Sequence, residues 1–276
     1  MSKLHPGPDR CLGVVHIPKC GGSAVRSALA QLEGCYATPL YFDAVHFGTE
    51  ELRRGIPEPN SDLIANPDQL AAAVSASRLV VGHYSADSLL SAGCAGLAVQ
   101  VREPRSRILS LYRFWEGQSA EERAGWGMWG SLLVDRAQLP LAQFLACPDV
   151  WPAIDNGISR QLLGVRRWRR YPGRPLEPSL MVVEWSSQST AFVERIADAL
   201  GAAEAPTLLR ENVTSVAGES QVIDRSALAR LRQLTRFDRR ALTALSRHGH
   251  LTARPDEALE REFHESAERL GFRISP

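Results

Sequence analysis

Lysine is nearly missing from this chain of 276 residues: of 32 basic side chains, 30 are arginine and only Lys3 and Lys19 are not. Against that background a lysine beside a glycine pair stands out. Long apolar runs are missing as well. The longest, near Leu12–Ile17 and Ala95–Val101, fall far short of the ~20 residues that cross a bilayer. The opening MSKLHPGPDRCLGVV lacks the apolar segment of a secretory signal, so a cytoplasmic location is expected. There is no CxxC pair, and the five scattered cysteines are expected to be free thiols rather than disulfides or a zinc site. The formal net charge is only +1, which argues against a chain that coats nucleic acid or anionic membrane. Repeats and low-complexity linkers are also lacking. What remains is an ordinary globular composition, 44% hydrophobic and 23% charged, expected to form one domain over 1–276 with a flexible N-terminus of about ten residues.

Four short apolar runs mark strands: Leu12–Ile17, Leu79–Gly82, Ala95–Val101 and Leu180–Val183. Helical spacing lies between them. Ala24–Leu32 follows the first run. Asn66-Pro67-Asp68 has the form of a helix start and leads to about Ala76, and Pro104 opens a helix to about Trp115. Thr190–Leu200 is amphipathic, with Gly201 placed to end it. Further helical stretches are Leu141–Ala146, Ile154–Leu163, Arg225–Leu234, Asp238–Ser246 and Glu257–Leu270. Buried-type strands alternating with helices predict an α/β fold, a parallel sheet flanked by helices, with additional C-terminal helices.

The segment VVHIPKCGGSAVRSAL reads as strand, tight turn and helix. Such a corner aims backbone N–H groups and a helix dipole at whatever sits in the turn. Gly21 and Gly22 allow close approach, Ser23 offers a hydroxyl and Lys19 a cation, so the expected occupant is phosphate or sulfate. This is not the G-x-x-x-x-G-K-[ST] loop of Mg²⁺-dependent nucleotidases, because Lys19 precedes both glycines.

Pro18-Lys19-Cys20-Gly21-Gly22-Ser23 resembles the P-K-[TS]-G-[GS]-[TS] loop of sulfotransferases that use 3′-phosphoadenosine 5′-phosphosulfate (PAPS). A second block, Arg102-Glu103-Pro104-Arg105-Ser106-Arg107-Ile108-Leu109-Ser110-Leu111-Tyr112, is similar to that family's R-[DE]-P-x-x-R-x-x-S-x-Y element. Val81-Gly82-His83-Tyr84 resembles the G-H-[FY] segment of the carbohydrate-type branch, the heparan 2-O-sulfotransferase-like group and its bacterial relatives. Asn156 through Gly164 is similar to that branch's N-x-x-x-R-x-L-x-G helix, with Arg160 at the arginine. Val182-Val183-Glu184 and Glu211–Thr214 are fainter echoes, so the likeness runs from about residue 12 to 214.

The resemblance implies a P-loop NTPase-like fold and metal-independent transfer of a sulfuryl group from PAPS to a hydroxyl of a carbohydrate or small natural product. It implies that Lys19, Cys20, Gly21, Gly22 and Ser23 cradle the phosphosulfate, that Arg102 and Ser110 grip the 3′-phosphate, and that Arg160 assists. Cys20 replaces the family's Thr or Ser and removes one hydroxyl contact, leaving the backbone cradle. Lys19 is the candidate stabiliser of the leaving group. His83, after a buried strand at the sheet's binding edge, is the candidate base; Asp43 and His46 are alternatives. Trp115, Trp126 and Trp129 lie in or beside a glycine-bearing stretch that fits either an acceptor cover or a loop anchor. Arg160, Arg166, Arg167, Arg169, Arg170 and Arg174 face a single acid within 151–175, as a solvated face or a steering patch. Two other function classes fit the residues less well. A P-loop-type kinase needs a Mg²⁺-binding carboxylate after a buried strand, where this chain has His83 and Arg102. A non-catalytic nucleotide-binding protein has no need of Lys19, His83, Arg102 and Ser110 together.

Overall fold

In the computed structural model, the described residues are 11–42, 66–119, 121–122, 127–167, 180–209 and 220–275. Five parallel strands form the main sheet: β1 (Leu12–Val15), β2 (Cys35–Phe42), β3 (Leu79–His83), β4 (Gly96–Val101) and β5 (Leu180–Trp185), in the spatial order β2-β3-β1-β4-β5. The alternation of side chains along each strand splits the core in two. Leu12, Val14, Leu79, Val81, Ala98 and Val182 face α1 (Gly22–Leu29) and, later in the chain, a helix over Ser189–Ala199. Val15, Val80, Leu97, Val99 and Val183 face the other way. There they meet α2 (Pro67–Ala76), α3 (Ala86–Ser91) and two later helices through Ile158, Leu162, Leu242 and Leu245. Strands buried on both faces account for the short continuous apolar runs in the sequence. Each fully buried Val or Leu contributes about 1.5–3 kcal/mol of apolar transfer energy.

Next in the chain are α4 (Pro104–Glu116), α5 (Gly127–Ala137), α6 (Leu141–Ala146), the single turn α7 (Trp151–Ile154) and α8 (Gly157–Arg167), the last of which packs on the sheet through Ile158 and Leu162. After β5 come α9 (Ser189–Ala199), β6 (Gln221–Ile223), α10 (Arg225–Leu234), α11 (Arg236–Arg247), α12 (Asp256–Arg269) and β7 (Phe272–Ile274), with β6 and β7 paired in parallel. Helices α4, α5, α6, α10 and α12 share a separate core around Tyr112, Phe144, Leu231 and Phe263. Predicted helix ends hold where chemistry sets them. Asn66 accepts from the Asp68 N–H with Pro67 at the first position, and Gly201 takes the left-handed φ of 66° just beyond α9.

The expected helix over Ile154–Leu163 divides in two. Asn156, at φ 47°, breaks it, and its Oδ1 caps α11 by accepting from the N–H groups of Phe237 and Asp238 at 2.7 and 3.2 Å. Asp238 returns the favour, accepting from the N–H groups of Ile158 and Ser159 at 3.3 and 2.7 Å. This reciprocal cap fixes α8 against α11 and gives Asn156 a structural part. All five cysteines are free thiols. No helix among the described residues is long and apolar enough to cross a membrane.

Candidate anion-binding site at the carboxyl edge of the sheet

β1 runs into a turn in which the Cys20 N–H donates to the Ile17 carbonyl at 3.2 Å. Pro18 occupies the second turn position, where its fixed φ is suited, and Lys19 the third, with φ 66°. That third position ordinarily takes Gly or Asn; a lysine there costs about 1–2 kcal/mol of backbone strain. Arg102, at the end of β4, holds the strained residue by donating Nη1 to the Lys19 carbonyl at 3.3 Å. The two sequence blocks, 83 residues apart, thus meet in one place.

Gly21 caps α1 in the left-handed region (φ 82°, ψ 5°), with no side chain bonded to the helix start and no acid in the first turn. Ser23 sits in that turn. Gly22 is required by contact: a Cβ there would lie 1.9 Å from His16 Cδ2. Cys20 is buried beneath the loop, and burial pushes its thiol up to about 12, which leaves it neutral.

The cations here are held uncomfortably. Burial first, and the charge of Arg102 second, bring the Lys19 ammonium down to about 8. Its Nζ stands 4.4 Å from the Phe114 ring centroid, over the face of a residue one turn beyond Ser110 on α4. Arg102 makes no ion pair with a described residue, and burial lowers its pKa. Ser110 is buried on α4.

His83 ends β3. Its Nδ1 lies 2.8 Å from the His16 carbonyl. A carbonyl only accepts, so Nδ1 carries the proton and the neutral ring keeps Nε2 as its acceptor. The two imidazoles stack, with centroids 4.1 Å apart. Enclosure by protein, with a smaller push from Arg26, lowers His83 to about 4 against the opposing hydrogen bond, so the ring is neutral at pH 7. The same His16 carbonyl accepts from Gln161 Nε2 at 3.3 Å, which ties α8 to the His16–His83 pair.

The loop residues 19–23, Arg102 and His83 therefore share the carboxyl edge of the sheet, where open α/β folds bind ligands, while Ser110 lies on α4 one turn before Phe114. Arg160 donates instead to the Pro152 carbonyl within its own helical hairpin. Asp43, His46, Trp126, Arg169, Arg170, Arg174 and Glu211–Thr214 lie outside the described residues. Trp115 is buried in the helical core beside Phe144, in keeping with an anchor. Among the described residues no cluster of three or more His, Cys, Asp or Glu side chains is placed to hold a metal ion.

Ser266, on α12, is a contact that the sequence motifs missed: its Oγ accepts from Arg102 Nη2 at 2.7 Å. A serine in mid-helix carries no local signature, and 164 residues separate the pair. Neither a family model, nor a curated protein, nor a solved structure matches the chain.

Proposed function

We propose that the chain is a PAPS-dependent sulfotransferase on a P-loop NTPase-like fold, acting on a hydroxyl of a carbohydrate or small natural product. The observation that carries the reading is the junction of Lys19 and Arg102. Two cations disfavoured by burial meet beside an uncapped helix start, and an anionic ligand relieves both. The resemblance of the two joined blocks to PAPS-binding elements supplies the identity of the anion.

In the proposed reaction the acceptor oxygen attacks sulfur as the bond from sulfur to the bridging phosphate oxygen breaks, releasing adenosine 3′,5′-bisphosphate. His83 Nε2 takes the acceptor proton. Lys19 and the α1 N–H groups stabilise charge on the sulfuryl and bridging oxygens. Catalysis is then mainly positioning and electrostatics. Arg102 receives the 3′-phosphate, for which a planar guanidinium is suited.

A P-loop-type kinase fits less well. Glu103, the carboxylate that follows β4, is 1% exposed and committed to Arg105 Nε and the Ser106 N–H, each at 2.7 Å. Calorimetric titration in EDTA with adenosine 3′,5′-bisphosphate and with ADP separates the readings. Tight metal-free binding of the bisphosphate alone is expected, and Lys19→Ala should keep the fold while losing most turnover. Comparable ADP binding, or binding only with Mg²⁺, would favour a kinase.

A further inference from the structure

The motifs end near residue 214, yet the described site continues into the C-terminal helix. On α12, Glu262, Ser266 and Arg269 are spaced i, i+4 and i+7 and lie along one side of the helix. All three act on Arg102: Ser266 through its hydrogen bond, Glu262 by favouring the guanidinium charge and Arg269 by opposing it. Glu262 is itself anchored, by Arg254 Nη1 at 2.5 Å and by the Glu103 N–H at 3.5 Å.

Ser266 is fully buried. A helix interior prefers alanine to serine, and a buried hydroxyl needs a partner. The partner here is Arg102. Acceptors on two separate elements, Lys19 O in the loop and Ser266 Oγ on α12, each take one N–H from a different terminal nitrogen. Two such fixed points set the plane of the guanidinium, and three of its five N–H donors have no acceptor among the described residues. Recognition of a phosphate by a planar fork depends on that plane.

We infer that α12 belongs to the nucleotide site, and that Ser266 is a positioning residue setting the selectivity of Arg102 for a 3′-phosphorylated nucleotide. The inference rests on the reading of Arg102 as the 3′-phosphate ligand. Calorimetry on the full chain, with adenosine 3′,5′-bisphosphate and adenosine 5′-monophosphate as probes, tests both. The quantity read is the ratio of the two affinities. Ser266→Ala should lower that ratio about tenfold, the scale of a hydrogen bond to a charged group. Affinity for the monophosphate should hold, and Ser266→Thr, which retains the hydroxyl, should restore the ratio. Arg102→Ala should abolish the preference. An unchanged ratio in Ser266→Ala, with the preference lost in Arg102→Ala, would make Ser266 a mere tether and overturn the inference alone. A parallel fall in both affinities in Ser266→Ala would overturn it too. A preference that survives Arg102→Ala would remove both the inference and the reading beneath it.

Discussion

Arg102 and Arg105 stand three residues apart at the junction of β4 and α4, and the protein treats them in opposite ways. Arg105 is 1% exposed; it pairs with Glu103 at 2.7 Å and Glu260 at 3.0 Å and lies over the Phe263 ring. Burial works against its charge, but the two carboxylates prevail and its pKa rises. Among the described residues Arg102 has hydrogen bonds to a carbonyl and a hydroxyl and no ion pair, and burial prevails there over the more distant charges of Glu262 and Glu103. A buried cation with its own carboxylates is complete without a ligand and serves the fold. One given neutral acceptors retains charge and donors for something outside the chain. The contrast extends to the two regions: in the helical layer Arg113 pairs with Glu116 at 2.5 Å, whereas Lys19, at the sheet edge, is brought down to about 8.

The contrast breaks most visibly from the Arg105 side. Glu103→Gln keeps shape but removes a buried countercharge and weakens the acceptor for the Ser106 N–H at the start of α4. Breaking a buried pair costs about 3–5 kcal/mol, so a large fall in the denaturation midpoint is expected, by urea titration. Arg102→Met removes a charge that burial opposes but leaves the Lys19 carbonyl and the buried Ser266 hydroxyl without that donor, so a smaller loss of about 1–2 kcal/mol is expected. Equal destabilisation by the two would erase the distinction drawn between these arginines.

Gly22→Ala sharpens the comparison within the site. The new methyl would fall on the His16 ring at 1.9 Å, and that ring is stacked on His83. Overpacking of this kind costs about 1–3 kcal/mol. Because relief requires His16 to move, nucleotide affinity and turnover should fall together. Wild-type turnover in Gly22→Ala, measured beside thermal unfolding, would show that the His16–His83 stack is incidental.

These contrasts also mark what could be read from the chain. Strands β1, β3, β4 and β5 were legible because burial on both faces leaves unbroken apolar runs. β2 was not, since CYATPLYF carries Pro39 and lies at the sheet edge, where pairing tolerates it. β6 and β7 span three residues each, too few for periodicity to register. The loop and Arg102 were legible as local patterns. Ser266, and the helix–helix capping by Asn156 and Asp238, were not, because their partners are fixed only by tertiary packing.

The smallest expected effect is a count of protons. Lys19 titrates near its ordinary 10.5 in the unfolded chain and at about 8 in the fold. Between those values the unfolded chain binds more protons, so stability should rise with pH across that window and lose this slope below it. Lys19→Met should remove that contribution, and Arg102→Met should reduce it, since the Arg102 charge is the second cause of the depression. A bound phosphate acts in the opposite sense, drawing the ammonium back towards its ordinary value. Binding of adenosine 3′,5′-bisphosphate at pH 8.5 should therefore take up a fraction of a proton. Calorimetric enthalpies in two buffers of different ionisation heat should diverge for the wild type and converge for Lys19→Met. Convergence for both would place Lys19 outside the field of the anion, and only the Arg102 half of the contrast would remain.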